Sequence, residues 1–274
     1  MKTLYITDLD GTLLNAQSRV SEKSLEILNA LLDKGLPLTF ATARSLGPAL
    51  KATAGLRLRL PAITNNGTFI RDPVSGAFIS GHYFSPEDTA FIRETLSECD
   101  LHPLVFAIIE GEERVTRLAD SENDGVREYL ASRPGDKRFR VAENAAAHFE
   151  GKIYYFTCIG SREELAPAYE KLTQRGVSCL LHPELRSVHW WLEILPPHSS
   201  KAEAIGELKQ LLNFDKIVSF GDAVNDLTMF AVSDECYAVG NAVEEVKLKA
   251  TDVIGDSEAD GVALYLQANW RPEA

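Results

Sequence analysis

Tyr5-Ile6-Thr7-Asp8-Leu9-Asp10-Gly11-Thr12 is the stretch on which the reading of this chain turns. Residues 3–7 have the β-branched, aromatic and apolar make-up of a short strand, and two aspartates follow it two residues apart. Side chains at i and i+2 of an extended chain project to the same side. Two carboxylates so placed at a buried strand end repel one another, and each loses hydration. A cation between them removes that cost, and a hard divalent ion such as Mg²⁺ prefers such oxygen ligands. Asp and Gly are also ordinary turn residues. The choice between site and turn therefore rests on what the rest of the chain brings beside them.

Outward from this stretch, Ser21 is placed to cap a helix running to about residue 34. Leu25, Leu28, Leu31 and Leu32 fall on one face and Gly35 lies at its end. Residues 36–41 read as a second strand ending in Thr42-Ala43-Arg44, and a helix then runs through Leu50. Residues 61–64 form a third strand closing on Asn65-Asn66-Gly67. Strands alternating with helices across short joins predict a parallel sheet with helices on its faces.

The rhythm then changes. Residues 77–84 read as a strand, Ser85-Pro86 opens a helix, residues 104–118 form a hairpin turning near Gly111, and residues 124–132 are helical. Residues 134–150 carry no clear pattern. A strand over 152–159, a helix boxed by Ser161 and Glu164, and strands over 177–181 and 187–195 follow. Alternation resumes with a helix capped at Ser200. A strand over 216–220 ends in Gly221-Asp222, a helix follows from 225 to 232, and two further strand–helix pairs complete the chain. The expected class is α/β: a doubly wound, Rossmann-like parallel-sheet core, residues 1–82 and 189–274, interrupted by an inserted α+β cap, residues 83–188.

Composition narrows the partners. The net charge of -12, from 40 acidic and 28 basic residues, repels phosphate backbones, and no dense Lys/Arg run offsets it. Neither nucleic acid nor an anionic membrane is an expected partner. Cys99, Cys158, Cys179 and Cys236 lie far apart without CxxC spacing and read as reduced thiols. No N-terminal apolar leader and no bilayer-length apolar run is present, so a soluble, cytoplasmic protein is expected. Nothing in the sequence addresses oligomeric state.

Open parallel sheets bind ligands at the carboxyl ends of their strands. Those ends carry Asp8 and Asp10, Thr42 and Arg44, Asn66, and then Asp222, Asn225 and Asp226, with Lys201 at a helix start. Carboxylates alone would suit a metal store. Carboxylates with a lysine and helix N-termini suit a metal together with a bound phosphate.

On these motifs the chain resembles the haloacid dehalogenase-like superfamily, in its Cof-type branch of phosphatases. Asp8-Leu9-Asp10-Gly11-Thr12 matches the first motif, Thr42 the second, Lys201 the third, and Gly221-Asp222-Ala223-Val224-Asn225-Asp226 the fourth. The resemblance covers essentially the whole chain. It implies Asp8 as a nucleophile that becomes an aspartyl-phosphate, and Asp10 as acid and then base. It implies Mg²⁺ held by the Asp8 carboxylate, the Asp10 carbonyl and Asp222, with Asp226 in support. Leu9 through its N–H, Thr42, Lys201 and Asn225 would bind phosphate. Arg44 touches the phosphate or pairs with a carboxylate, and Asn66 lies near the substrate or is only a turn. Ala43 and Ala202 stand where relatives commonly carry glycine; Ala43 would crowd the phosphate loop if that position took a positive φ.

The expected function is Mg²⁺-dependent hydrolysis of small phosphorylated metabolites, sugar phosphates foremost. A phosphomutase using the same aspartyl-phosphate is the alternative. A non-catalytic phospholigand-binding protein would lack a catalytic group, and none is missing.

Overall fold

The computed structural model describes residues 2–119, 121–183 and 188–272. In chain order, the first elements are β1 (Thr3–Thr7), α1 (Glu22–Leu32), β2 (Leu38–Phe40), α2 (Leu46–Ala52), β3 (Ala62–Thr64), β4 (Phe69–Arg71) and β5 (Phe78–Gly81). Next come α3 (Pro86–Glu98), β6 (Leu104–Ile109), β7 (Glu112–Leu118), α4 (Asp124–Ala131), β8 (Phe139–Ala142), α5 (Ala145–His148), β9 (Lys152–Gly160), α6 (Arg162–Gln174), β10 (Ser178–Pro183) and β11 (Trp190–Leu195). The last are α7 (Lys201–Leu212), β12 (Lys216–Gly221), α8 (Leu227–Phe230), β13 (Glu235–Ala238), α9 (Glu244–Lys247), β14 (Asp252–Val253) and α10 (Gly261–Asn269). The chain divides into two compact units, Met1–Gly81 with Ser199–Ala274, and His82–His198.

The first unit is built on a five-stranded sheet in the order β14-β13-β12-β1-β2, with every neighbouring pair parallel. β1 sits where the strand order reverses, the place at which such sheets open a crevice at their carboxyl ends. Thr7 is in register with Phe220, and the Asp8 N–H donates to the Phe220 carbonyl at 2.9 Å. The residues that follow β1 and β12 therefore emerge side by side. Apolar positions hold this frame: Leu4, Ile6, Phe40, Leu208, Phe220 and Leu266 share one core. From α1, Leu28 and Leu31 join that core, each such burial contributing about 1.5–3 kcal/mol.

β3 departs from expectation. It touches the parallel sheet through a single bridge, Ala41 to Ile63, and then pairs antiparallel with β4, which pairs with β5. The turn Asn65-Asn66-Gly67 reverses the chain so tightly that Ile63 faces Ile70 instead of a strand further along the parallel sheet. The helix expected over 225–232 is broken into a 3₁₀ turn, Val224–Asp226, followed by α8.

The second unit carries a six-stranded sheet, β10-β11-β9-β6-β7-β8, antiparallel except for β7 with β8. Ile92 and Leu96 of α3 and Leu165, Ala168 and Leu172 of α6 form its core with Val105, Phe156, Leu192 and Ile194. Glu110 and Gly111, both at positive φ, make the hairpin turn between β6 and β7. β8 and α5 occupy the stretch without a clear pattern. The unit's second boundary lies at 198/199, not at 188/189, because β11 pairs antiparallel with both β9 and β10. Its first boundary falls one residue early, at 81/82. Ser187, the expected start of that strand, lies outside the described residues. Among the described residues, no helix is long and apolar enough to cross a membrane.

Candidate active site

Asp8 follows the last residue of β1 and is almost fully buried. The chain then bends: Asp10 keeps φ −72° and ψ 122°, and Gly11 turns to φ +76°. A Cβ on residue 11 would stand 2.3 Å from Asp222 Oδ2, so only glycine allows this approach. Thr12 completes the contact, its hydroxyl donating to Asp222 Oδ1 at 2.7 Å. Gly11 and Thr12 thus set the position of Asp222 from the end of the neighbouring strand. The motif alone assigns neither of them a role; the DxDGT pattern is the signal in the sequence that marks both.

Lys201 is the first residue of α7, whose cap is Ser200, the hydroxyl accepting from the Glu203 N–H. The lysine is buried to 2 % exposure, and its Nζ donates to Asp8 Oδ1 and to Asp226 Oδ1, both at 2.6 Å. Asp226 is wholly buried, and its Oδ2 accepts the N–H groups of Asp222 at 2.9 Å and Ala223 at 3.1 Å. Asp226 therefore fixes both Asp222 and Lys201. None of these bonds uses Asp8 Oδ2 or Asp222 Oδ2.

One carboxylate oxygen from each of Asp8, Asp222 and Asp226 lies within 4.8 Å of the others. Burial pushes Asp8 up to about 8; Lys201 opposes the rise, and Asp226 reinforces it. Burial likewise raises Asp222 to about 6 against the Thr12 hydrogen bond. For Lys201, burial works against the ammonium, but Asp8 and Asp226 outweigh it and its pKa is raised. The two partners' directions are compatible: one ammonium faces three clustered carboxylates, so the cluster is left short of positive charge. The donor set, oxygen only and short of positive charge, fits a hard divalent cation such as Mg²⁺.

Asp10 is not part of that cluster. Its half-exposed carboxyl takes a two-point clasp from Arg44, Nε to Oδ2 at 2.7 Å and Nη2 to Oδ1 at 2.5 Å. The Arg44 pKa is raised, first by this hydrogen bond. The side-by-side carboxylate pair expected at 8 and 10 is thus corrected: the bend at Asp10 and Gly11 sends the second carboxyl to an arginine. Of the two readings of Arg44, carboxylate pairing is the one observed.

Thr42 is buried, and its hydroxyl accepts from the Arg44 N–H at 3.2 Å. Ala43 is not among the residues at positive φ, so its methyl group meets no backbone penalty there. The Asn65 N–H donates to the Arg44 carbonyl and the Asn66 N–H to the Thr42 carbonyl, both at 3.0 Å, stitching the two loops together. Leu9 is buried, its carbonyl accepting from the Leu14 N–H. Asn225 is exposed on the 3₁₀ turn, and its side chain takes no part in the bonds joining Asp8, Lys201, Asp222 and Asp226. In the second unit, His182 faces Glu193 at 3.5 Å and His189 faces Glu128 at 3.6 Å. Trp191 packs edge-on against Tyr129.

A family model described as haloacid dehalogenase-like hydrolase matches residues 5–266. The chain is 25% identical over 276 residues to the 5-amino-6-(5-phospho-D-ribitylamino)uracil phosphatase YitU of Bacillus subtilis, with 96% of each covered. It is 29% identical to an HMP-PP phosphatase of Serratia proteamaculans, covering 98% of this chain and 96% of the relative. A solved structure from Thermotoga maritima, TM0651, superposes with a TM-score of 0.81 at 27% identity, covering 100% of this chain and 99% of that one.

Proposed function

The chain belongs to the haloacid dehalogenase-like hydrolase family, in its Cof-type branch, and from that membership we propose that it is a Mg²⁺-dependent phosphatase of small phosphorylated metabolites. The observation that carries this reading is the Asp8–Lys201–Asp226 chain of contacts beside Asp222. It offers a buried carboxylate nucleophile, a fixed ammonium and a deficit of positive charge in one place. The phosphatase activities for which these relatives are named support small phosphorylated substrates, and the phosphoribityl group in one of them favours sugar or polyol phosphates. The free, scattered cysteines accord with a cytoplasmic enzyme.

In this reading Asp8 attacks phosphorus, forming an aspartyl-phosphate as the bond to the departing alkoxide breaks. Asp10 gives that alkoxide its proton, then takes one from the water that hydrolyses the intermediate and returns Asp8. Arg44 has to release the Asp10 carboxyl for either transfer, which makes the clasp a resting arrangement. Lys201, Thr42, the Leu9 N–H and Asn225 receive phosphate oxygens. Asp8, Asp222 and the Asp10 carbonyl would hold Mg²⁺, with Asp226 in support. The bound ion supplies positive charge for the phosphoryl oxygens, and stabilisation of that kind dominates phosphoryl transfer.

The test is phosphate release from a panel of phosphoesters by wild type and Asp8→Asn, with Mg²⁺ or with EDTA. Wild type with Mg²⁺ releases phosphate; EDTA stops it, and Asp8→Asn lowers kcat by at least about 10³-fold. Undiminished turnover by Asp8→Asn would sink the proposal. Isomerised substrate without free phosphate would assign a mutase instead.

A further inference from the structure

Asn65, Asn66 and Gly67 occupy three consecutive left-handed positions, with φ of 53°, 55° and 98°. Asparagine tolerates that region as a single residue but not in runs, and a run that persists must be held by its surroundings. It is held on two sides. The Asn65 and Asn66 N–H groups donate to the carbonyls of Arg44 and Thr42. On the other side Gly67 lies against the start of α7: a Cβ there would stand 2.1 Å from the Ser200 carbonyl oxygen and 2.8 Å from the Lys201 nitrogen.

The segment carries a second cost. The side-chain oxygens Thr64 Oγ1, Asn65 Oδ1, Asn66 Oδ1 and Thr68 Oγ1 are buried with no hydrogen-bond partner among the described residues. Buried polar groups are satisfied almost everywhere in native proteins. A turn that is both left-handed throughout and poor in side-chain hydrogen bonds is not kept for its stability. What it does is bring residue 67 onto the backbone from which Lys201 projects, while tying the same turn to Thr42 and Arg44.

We infer that Asn65-Asn66-Gly67 is a positioning turn, with Gly67 as the contact that sets where the Lys201 ammonium stands. Gly67 touches no reacting atom and acts through Lys201. The two bonds that Lys201 makes to Asp8 and Asp226, each 2.6 Å, leave little room for its backbone to shift. A Cβ at 67 must push residues 200–201 away, and an error near 1 Å in a catalytic group costs on the order of 10²-fold in rate. The effect on rate rests on the phosphatase reading; the effect on Lys201 does not.

Gly67→Ala is therefore compared with Gly76→Ala. Gly76 has φ +76° in the loop between β4 and β5 with nothing within 4 Å of its Cβ position, so it meets the left-handed penalty without the collision. Three readouts are taken: kcat and KM on a phosphoester that wild type hydrolyses, the thermal midpoint, and the Lys201 ammonium signal in ¹⁵N-lysine-labelled protein. Gly67→Ala is expected to lower kcat by about 10- to 100-fold, to change KM less, and to move the ammonium signal. Gly76→Ala is expected to lose thermal stability alone. Asn65→Ala strains the same turn without bulk against residues 200–201. It covers the case in which Gly67→Ala does not fold, with a smaller kcat loss and a shifted ammonium signal expected. A folded Gly67→Ala, or in its place Asn65→Ala, with wild-type kcat and ammonium signal overturns the inference, as does an equal kcat loss in Gly76→Ala. Should wild type hydrolyse no phosphoester, the phosphatase reading fails while the ammonium comparison still decides the positioning.

Discussion

Asp8 and Asp222 are held at about 8 and about 6, whereas an aspartate in the unfolded chain titrates near 3.9. Their raised values have a defined sign for stability. Between about pH 4 and about pH 8 the folded chain binds more protons at these two groups than the unfolded chain does, so their contribution falls as pH rises. Lys201, raised from its ordinary value, stays charged throughout that window and adds no slope. Mg²⁺ held as proposed would require both carboxylates ionised, so its stabilising effect should grow from about pH 5.5, where ordinary carboxylates have already titrated, to about pH 8. Thermal melts with Mg²⁺ and with EDTA at the two pH values measure that increment; an equal increment at both would count against the site. At this scale the residues were legible but their partners were not. The spacing of Asp8 and Asp10 marked chemistry, yet Arg44 as the partner of Asp10 depends on a loop 34 positions away, which no local pattern encodes.

The start of α1 shows which elements a sequence specifies well. Ser21 caps the helix by accepting from the Ser24 N–H at 2.9 Å, and its hydroxyl also bonds the Asp260 carboxylate at the start of α10. The cap was readable from Ser21 alone; the bond to Asp260, from 239 positions further on, was not. Ser21→Ala removes both and should destabilise by about 1–2 kcal/mol, seen as a lower urea midpoint with an unchanged slope. An unchanged midpoint would mean that the two bonds contribute nothing net. β3 and β4 are three residues each; β3 is legible as an apolar run closing on Asn65-Asn66-Gly67, whereas β4 shows itself only through its pairing with β3 and β5. β11 was recognised as a strand but assigned to the wrong unit. Alternation along Trp190–Leu195 says that one face is covered, not that β9 and β10 are the neighbours.

Among the described residues each unit has its own hydrophobic core, and Asp8, Lys201, Asp222 and Asp226 all lie in the first unit. Where scanning calorimetry resolves the two units as separate transitions, the calorimetric enthalpy exceeds the van't Hoff value. Added Mg²⁺ should raise the melting of the first unit and leave the second in place, since a ligand stabilises only what it binds. Mg²⁺ raising the melting of the second unit instead of the first would contradict that assignment. The two-part organisation was legible in the change of rhythm after residue 76, and the doubly wound class in the strand–helix alternation on either side. The exact boundaries were not, since they depend on which strands pair. The claim that unites these scales is that Asp8 takes the phosphoryl group. Borohydride reduction of enzyme quenched during turnover, followed by peptide mass spectrometry, tests it most directly, because an aspartyl-phosphate is reduced to homoserine. Homoserine at position 8 in wild type, and none in Asp8→Asn, is the predicted result. Turnover with residue 8 unreduced and Asp8→Asn still active would contradict the account.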